Sequence, residues 1–547
     1  MSLQASPVSL VPELTARVAH AAFPKGNPYL RLRDEFGTIF RDTDFADLYP
    51  RRGQPALPPW QLALVTVLQF RESLSDRKAA DAVRARIDWK YLLGLEVDDP
   101  GFDFSVLSEF RSRLLAGEAG ERLLEKLLDR CKDLDLIKER GRQRTDATHV
   151  MASIRVMNRL ELLGETLRAA LNELAGAAPE WIKGVAPAAW YQTYARRVED
   201  SRLPKEKEQR QAYAEAVGAD GFVLLDRLGA PEAPPELRQL EKVEVLRLVW
   251  ERHYQREGGR VHLKSQDELP PAAEAIESPY DPEARFRSKR ETNWTGYMAV
   301  LTETCDEGNP NLITHVDTTA ATVHEVHSTA TVQEALAGLG LAPGEHLADA
   351  GFITAELLVS SREDRGIELI GPPRPGSNWQ GRVAGAYGID QFEVDWENRR
   401  VHCPEGHQSN RWLEYTDAAG KAYISARFAA ADCAACPARA KCTRSAKGGR
   451  HVRLPSREQH EATEGMRRFL DSEEGRRVYA RRSGIEGTIS QGVRSFGLRR
   501  ARYRGEAKTH LQHVATAAAM NISRISDWLE GKPPEQTRTS CFTRLAA

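Results

Sequence analysis

RTDATHV, residues 144–150, sets an acid, Asp146, in a short β-like run where the charged stretch KERGRQR (138–144) ends. Two other acids stand in equally marked contexts. Asp349 closes an apolar run just before a glycine in EHLADAGF (345–352), and Glu486 lies among arginines on the helix-like segment YARRSGIEGTIS (479–490). Converging carboxylates repel one another unless cations neutralise them, so the trio implies divalent metal, and the arginines around it imply a phosphate substrate. Acids taken singly carry no such signal, since Asp and Glu number 78 in the 547-residue chain.

Strand and helix signals alternate around these acids. Trp294–Cys305, the turn DEGNPN and Leu312–Thr318 read as a β-hairpin; a helix (TVHEVHSTATVQEALAGLGL), the short strand HLADAG, a helix (TAELLVSSRED) and the strand GIELIGPP follow. This alternation predicts an α/β core. Two stretches interrupt it. Residues 156–282 show leucines at helical spacing (Leu160, Leu163, Leu167, Leu171, Leu174), and 391–454 turn to short strands such as FEVDWENRRVHC, RWLEYTD and AYISARF. Upstream, LPPW (57–60) opens a helix, Ser75 caps a second (SDRKAADAVRARIDWKYLLGL) and a third begins near Ser105. Their basic faces (Arg77, Lys78, Arg84, Arg86, Arg111, Arg113) resemble a helix-turn-helix arrangement, and solvated charge is the plainer reading.

The net charge of −1 requires any nucleic-acid surface to come from segregated charge. Residues 476–508 supply it, with ten cations against Glu486 and Glu506. No apolar run approaches the roughly 20 residues of a membrane helix, and no signal-peptide pattern opens the chain, so a soluble, cytoplasmic protein is expected. Of seven cysteines, Cys131, Cys305 and Cys541 are isolated, whereas Cys403, Cys433, Cys436 and Cys442 fall in one region. Four thiolates suit a tetrahedral structural Zn²⁺, with His407 able to replace one of them and reduced, unliganded thiols as the alternative.

On a continuous helix Tyr479, Arg482 and Glu486, three and four apart, share a face. Here the chain resembles bacterial insertion-sequence transposases of the DDE class, in particular the group whose third-acid helix carries a tyrosine, arginine, glutamate, lysine signature. The lysine's position holds Val493, and the nearest cation is Arg494. LPPWQLALVTVLQ and FSVLSEFRSRL are similar to the family's N-terminal domain, LADAGF to its second-acid motif, and FGLRRARYRGEAKTHLQHVATAAAMNISR (496–524) to its C-terminal segment.

The resemblance implies a ribonuclease-H-like core in which Asp146, Asp349 and Glu486 hold two Mg²⁺ or Mn²⁺ ions about 3.5–4 Å apart. It implies binding of the element's terminal inverted repeats and of target DNA, hydrolysis that frees a 3′-OH, strand transfer by that hydroxyl, and a homodimer on DNA in the nucleoid. Tyr479 and Arg482 would orient phosphate, while Arg494, Arg499, Arg500, Arg502, Arg504 and Lys508 would contact DNA backbone. Trp379, in GSNWQGR, is the candidate for stacking on an unpaired base, ahead of Trp396 and Trp412, whose strand contexts favour a core role. Asp317, in THVDT, is the rival second acid, and His149, three residues after Asp146, points to the other side of a strand. The basic run Arg285, Arg287, Lys289 and Arg290 either lines a DNA channel or is solvated.

The expected division is a helical DNA-binding domain (1–140); a catalytic core (141–155, 283–390 and 455–525); a helical insertion (156–282); a β-rich insertion with the cysteine cluster (391–454); and a flexible tail (526–547). Two other readings remain open: a domesticated, non-catalytic DNA-binding protein, and a stand-alone nuclease of the same fold.

Overall fold

The computed structural model describes residues 2–533 except 4, 6, 375–378, 419 and 446, together with 542 and 545. The helix opened by LPPW, α1 (Pro59–Arg71), has a proline in its first turn, where a missing N–H costs nothing. Every residue from Pro59 to Phe70 but the half-buried Gln61 is buried, so it runs through the interior and not along a surface. Ser75 caps the next helix through its bond from the Lys78 amide, but the stretch read as one helix breaks at Arg86 into Asp76–Ala85 and Ile87–Leu93. Arg86 takes an extended conformation there and its guanidinium closes on Glu72 and Asp88. A helix at Ser105–Ala116 and α2 (Arg122–Asp133) complete this helical layer.

The central sheet begins with β1 (Arg142–Met151) and continues with β2 (Arg285–Lys289), β3 (Thr292–Thr304), β4 (Ile313–Ala320), β5 (Glu345–Ala348) and β6 (Glu368–Ile370). Its order is β2-β3-β1-β5-β6, with β4 also on β3. β1 is antiparallel to β3 and parallel to β5, and β5 is parallel to β6. Helix α3 (Ser328–Gly338) leads from β4 into β5, and α4 (Ala355–Arg365) connects the parallel pair β5 and β6. After them come α5 (Arg457–Asp471), α6 (Glu473–Ala480), α7 (Gly484–Ser495) and α8 (Glu506–Leu529). Alanine-rich α8 is buried from Leu511 to Ile522 between β4, α1 and α2, which joins the helical layer to the sheet in one core.

Residues 156–282 hold three long helices (Arg159–Ala177, Lys207–Gly229, Glu241–His253) around a separate cluster that includes Leu167, Leu224, Leu246 and Trp250. They also contain a hairpin absent from the helical reading, Tyr254–Glu257 against Arg260–Leu263. Its strands are too short for an alternating pattern to stand out, and the signal was the Gly258-Gly259 turn, both residues at positive φ. In 391–454 the stretch FEVDWENRRVHC is itself a hairpin, Glu393–Asp395 with Arg400–His402. Beyond it β7 (Ser409–Thr416), β8 (Ala422–Phe428) and β9 (His451–Leu454) form a three-stranded antiparallel sheet. At the C-terminal end α8 runs to Leu529, into the span expected to be tail; 534–541, Cys541 included, lie outside the described residues.

Candidate active site

Parallel pairing of β1 with β5 matches Thr145 with Ala348, so the next residue on each, Asp146 and Asp349, emerges side by side. Each carboxylate accepts a local amide: Asp146 from Ala147 at 2.7 Å and Asp349 from Gly351 at 2.7 Å. Glu486 arrives from the first turn of α7. One guanidinium links strand and helix, with Arg482 2.7 Å from Glu486 and 3.4 Å from Asp146, and it lies 5.9 Å from the Tyr479 ring. Burial, then the charges of Asp349 and Glu486, push the Asp146 carboxyl up from its ordinary range, against the Ala147 amide and Arg482. Burial also raises the Tyr479 hydroxyl, with Asp349 and Asp146 adding to it and Arg482 opposing. Three acids, a tyrosine and an arginine therefore share one electrostatic neighbourhood.

Asp317 lies elsewhere. It pairs with Val300 on the far side of β3, where its charge acts on Glu506 and His510. His149 packs against Trp294, with ring centroids 5.4 Å apart.

Tyr479, Arg482 and Glu486 do not ride on one continuous helix, as their spacing suggested. α6 ends at Ala480, Arg481–Ser483 form a 3₁₀ turn, and α7 starts at Gly484. The cause is Arg144, two residues before Asp146, which donates to the Arg481 carbonyl at 2.6 Å. It lies so close to Gly484 that a Cβ there would sit 2.0 Å from Arg144 Nη1. Arg144 in turn pairs at 2.7 Å with Glu303 of β3, whose side chain is fully buried. The second Glu303 oxygen accepts from Thr488 of α7 at 2.6 Å and from Arg524 of α8 at 2.7 Å. This ionic cluster anchors the helix carrying Glu486 to the strands. Sequence reading missed it, although a carboxylate inside the apolar run WTGYMAVLTETC was a usable signal.

The cations after Glu486 divide into two sets. Arg499 donates to Thr148, Arg502 to the Leu74 carbonyl while covering Phe70, and Arg504 to the Ser153 carbonyl while covering Tyr280. Arg494, Arg500 and Lys508 are exposed, with no side-chain hydrogen bond or ion pair among the described residues. Val493, at the signature's lysine position, packs against the core. The basic run before the hairpin is strand β2, where Arg287 and Lys289 close on the buried Glu325. In the helical layer Arg111 pairs with Asp76, Arg84 with Asp81 and Arg113 with Glu109, so much of the basic face is neutralised internally.

Trp379 is half-buried, with the Arg444 guanidinium 4.4 Å from its ring centre; the neighbouring 375–378 lie outside the described residues. Trp396 and Trp412 pack edge to face at 5.6 Å against the core of the β-rich region. Cys403, Cys433, Cys436 and Cys442 line one cavity of ≈ 20 Å³, joined by His407. Sγ of Cys403 accepts the His407 amide at 3.3 Å and Sγ of Cys433 the Arg450 amide at 3.2 Å. Burial, then its three sister thiols, push the Cys442 thiol up, against the Arg450 charge. Among the described residues, no three His, Cys, Asp or Glu side chains are drawn together tightly enough to hold an ion as they stand.

Two family models match the chain: one described as "Transposase DDE domain" over residues 402–526, and one described as "Transposase domain (DUF772)" over residues 17–113. Both point to the insertion-sequence DDE transposases. The first of these spans contains Tyr479, Arg482, Glu486 and the four cysteines; Asp146 and Asp349 lie outside it. A ribonuclease-H-like core comes with the DDE domain, and the mixed sheet flanked by helices agrees with it. The family also implies DNA as partner and divalent metal as cofactor. No curated protein and no solved structure matches this chain. Among its described residues no helix is long and apolar enough to cross a membrane.

Proposed function

We propose that this protein cuts and joins DNA at the ends of its own mobile element, with Asp146, Asp349 and Glu486 as its metal-holding acids. The observation that carries the reading is the convergence of those acids from two adjacent strands and one helix, with Asp146 and Glu486 sharing Arg482 and the Asp349 charge acting on Asp146. The donor set fits divalent cations: Asp146 is raised by burial and by two neighbouring carboxylates, a repulsion that the one guanidinium only partly offsets. Bound there, the ions would activate the attacking oxygen and stabilise the leaving one. Arg482 would turn from the acids to the phosphate, its planar fork matching two phosphate oxygens. Tyr479 would flank the same phosphate, and exposed Arg494, Arg500 and Lys508 would meet the backbone beyond it.

Residues 1–140 act in this reading as the DNA-binding module, and a homodimer forms on the paired element ends. The β-rich region at 391–454 folds around a structural Zn²⁺ held by Cys403, Cys433, Cys436 and Cys442, in support of which all four line one cavity. Purified protein incubated with Mg²⁺ and DNA carrying the element's ends tests the function. Cleavage followed by a joined product is expected. Binding without cleavage would replace the reading with a non-catalytic DNA-binding protein, and cleavage without joining with a nuclease.

A further inference from the structure

The three-stranded sheet β7-β8-β9 has two unlike faces. Trp412, Ile424, Ala426, Val452 and Leu454 turn inward to a small core. Alternation along the strands sends their neighbours outward in registered rows. In one row Arg411 is opposite Arg427, which is opposite His451. In the next Leu413 is opposite Ser425, which is opposite Arg453; in the third Tyr415 is opposite Tyr423.

Charge on this outer face is one-sided. Asp417 pairs with Arg453 at 2.9 Å, while Glu414 is registered with Ile424 on the inner face. Arg411 and Arg427 are exposed and have no side-chain hydrogen bond or ion pair among the described residues. Like charges directly opposite on neighbouring strands destabilise a sheet, because the Cβ atoms stand only about 4.5–5.5 Å apart. An anion lying across the strands would reverse that cost. The tyrosines hold the platform: their rings stack at 5.7 Å and 21°, and the Arg453 guanidinium covers Tyr423 at 3.6 Å. With Tyr423 covered by Tyr415 and Arg453, the unpaired donors that the sheet offers are guanidinium forks suited to phosphate.

We propose that this outer face binds the phosphate backbone of duplex DNA, with Arg411 and Arg427 as its principal contacts. The inference rests on the reading of the protein as a DNA transposase and adds a surface remote from its acids along the chain. The sheet is tied to the helices that carry the site: Leu454 ends β9, α5 starts at Arg457, and His460 of α5 packs on Trp396 at 5.6 Å. DNA gripped on the sheet would be held by the unit that leads into α6 and α7.

The test measures affinity for a short duplex of arbitrary sequence between about 50 and 200 mM salt, since each phosphate contact contributes about −0.9 to the slope of log K against log salt. Full-length Arg411→Gln/Arg427→Gln should bind more weakly and lose about 1.8 from that slope. Arg411→Lys/Arg427→Lys should keep most of it, and circular dichroism should show both variants folded. An unchanged slope in the folded glutamine variant overturns the proposal while leaving the transposase reading intact. Equal losses in the folded glutamine and lysine variants overturn it as well, because shape and not charge would then matter. Loss of self-association with unchanged DNA binding would make the face an interface between copies. Failure of the unaltered protein to bind any duplex would overturn both readings.

Discussion

Arg482 reaches Glu486 at 2.7 Å and Asp146 at 3.4 Å, so one side chain spans the helix-borne and strand-borne acids of the site. Its positive charge stands where cations are expected to bind and competes with them. Arg482→Ala should therefore bind Mn²⁺ several-fold more tightly in the absence of DNA, as read by titration calorimetry, yet cleave about 10²–10³-fold more slowly for want of a phosphate donor. DNA affinity should fall only modestly, one backbone contact being lost among many. Arg494→Ala should have the smaller cleavage defect: it sits exposed in the last turn of α7, about 100° around from the signature position that Val493 fills. Equal, large defects would mean that Arg494 has taken over the lysine's role.

Asp146→Asn, Asp349→Asn and Glu486→Gln should each abolish cleavage and leave duplex binding near that of the unaltered protein, since an amide keeps the shape but not the charge that holds a metal. Asp317→Asn is the informative control. Asp317 lies on β4 beside Glu506 and His510 of α8, with β3 between it and Asp146, so its variant should cleave normally. Robust cleavage by Asp349→Asn together with an inactive Asp317→Asn would exchange the two assignments.

Much of this arrangement was legible in the chain because period and punctuation agree with burial. RTDATHV and HLADAG are short runs bounded by charge or glycine, and they became β1 and β5. The break between Tyr479 and Glu486 was not legible. It is set by Arg144, 337 residues before Arg481, filling space that Gly484 leaves open, and no local spacing encodes that contact. The cations after Glu486 failed to read as one surface for the same reason: whether an arginine meets DNA or a carbonyl such as that of Leu74, 428 positions away, depends on partners distant in sequence.

Zinc content is checked directly. Protein purified without chelators should hold about one Zn²⁺ per chain, and Cys433→Ser/Cys436→Ser should lose it and melt earlier. No zinc in the unaltered protein, or the same content in the variant, would leave the four sulfurs as reduced thiols lining a cavity.

Glu303 gives the largest expected effect on stability. Its carboxylate is fully buried between Arg144, Arg524 and Thr488, so Glu303→Gln leaves two buried or half-buried guanidinium groups without a counter-charge. Breaking such a cluster from one side costs about 3–5 kcal/mol, read as a lower denaturant midpoint with an unchanged slope. Because Arg144 also sets the turn before α7, cleavage should drop in the variant under conditions where it remains folded. A loss below about 1 kcal/mol would show that the cluster is not the anchor described here.

The pH dependence of stability isolates another contact, between α8 and the start of α2. Burial disfavours charge on His510, but the Glu121 carboxylate bonded to it, together with Asp317 and Glu506, outweighs burial, so its proton is held above the ordinary imidazole range. A base whose folded pKa is raised stabilises the fold below its unfolded pKa, and that stability is lost as pH rises through the folded value. Several buried histidines act in the opposite sense: His513 and His253 are pushed down to about 3 and His346 to about 4, mainly by burial. They are neutral in the folded state, but their unfolded imidazoles are half protonated at about pH 6.5 and shed the rest above it, which raises stability as pH rises; the buried thiols of Cys131 and Cys305, pushed up to about 12, matter only where unfolded thiols begin to ionise. Relative to Glu121→Gln and His510→Gln, the unaltered protein should therefore lose stability as pH rises above about 6.5 and His510 loses its proton, the contribution of the other histidines being common to all three. The same pH dependence in the unaltered protein and both variants would show that the pair makes no such contribution.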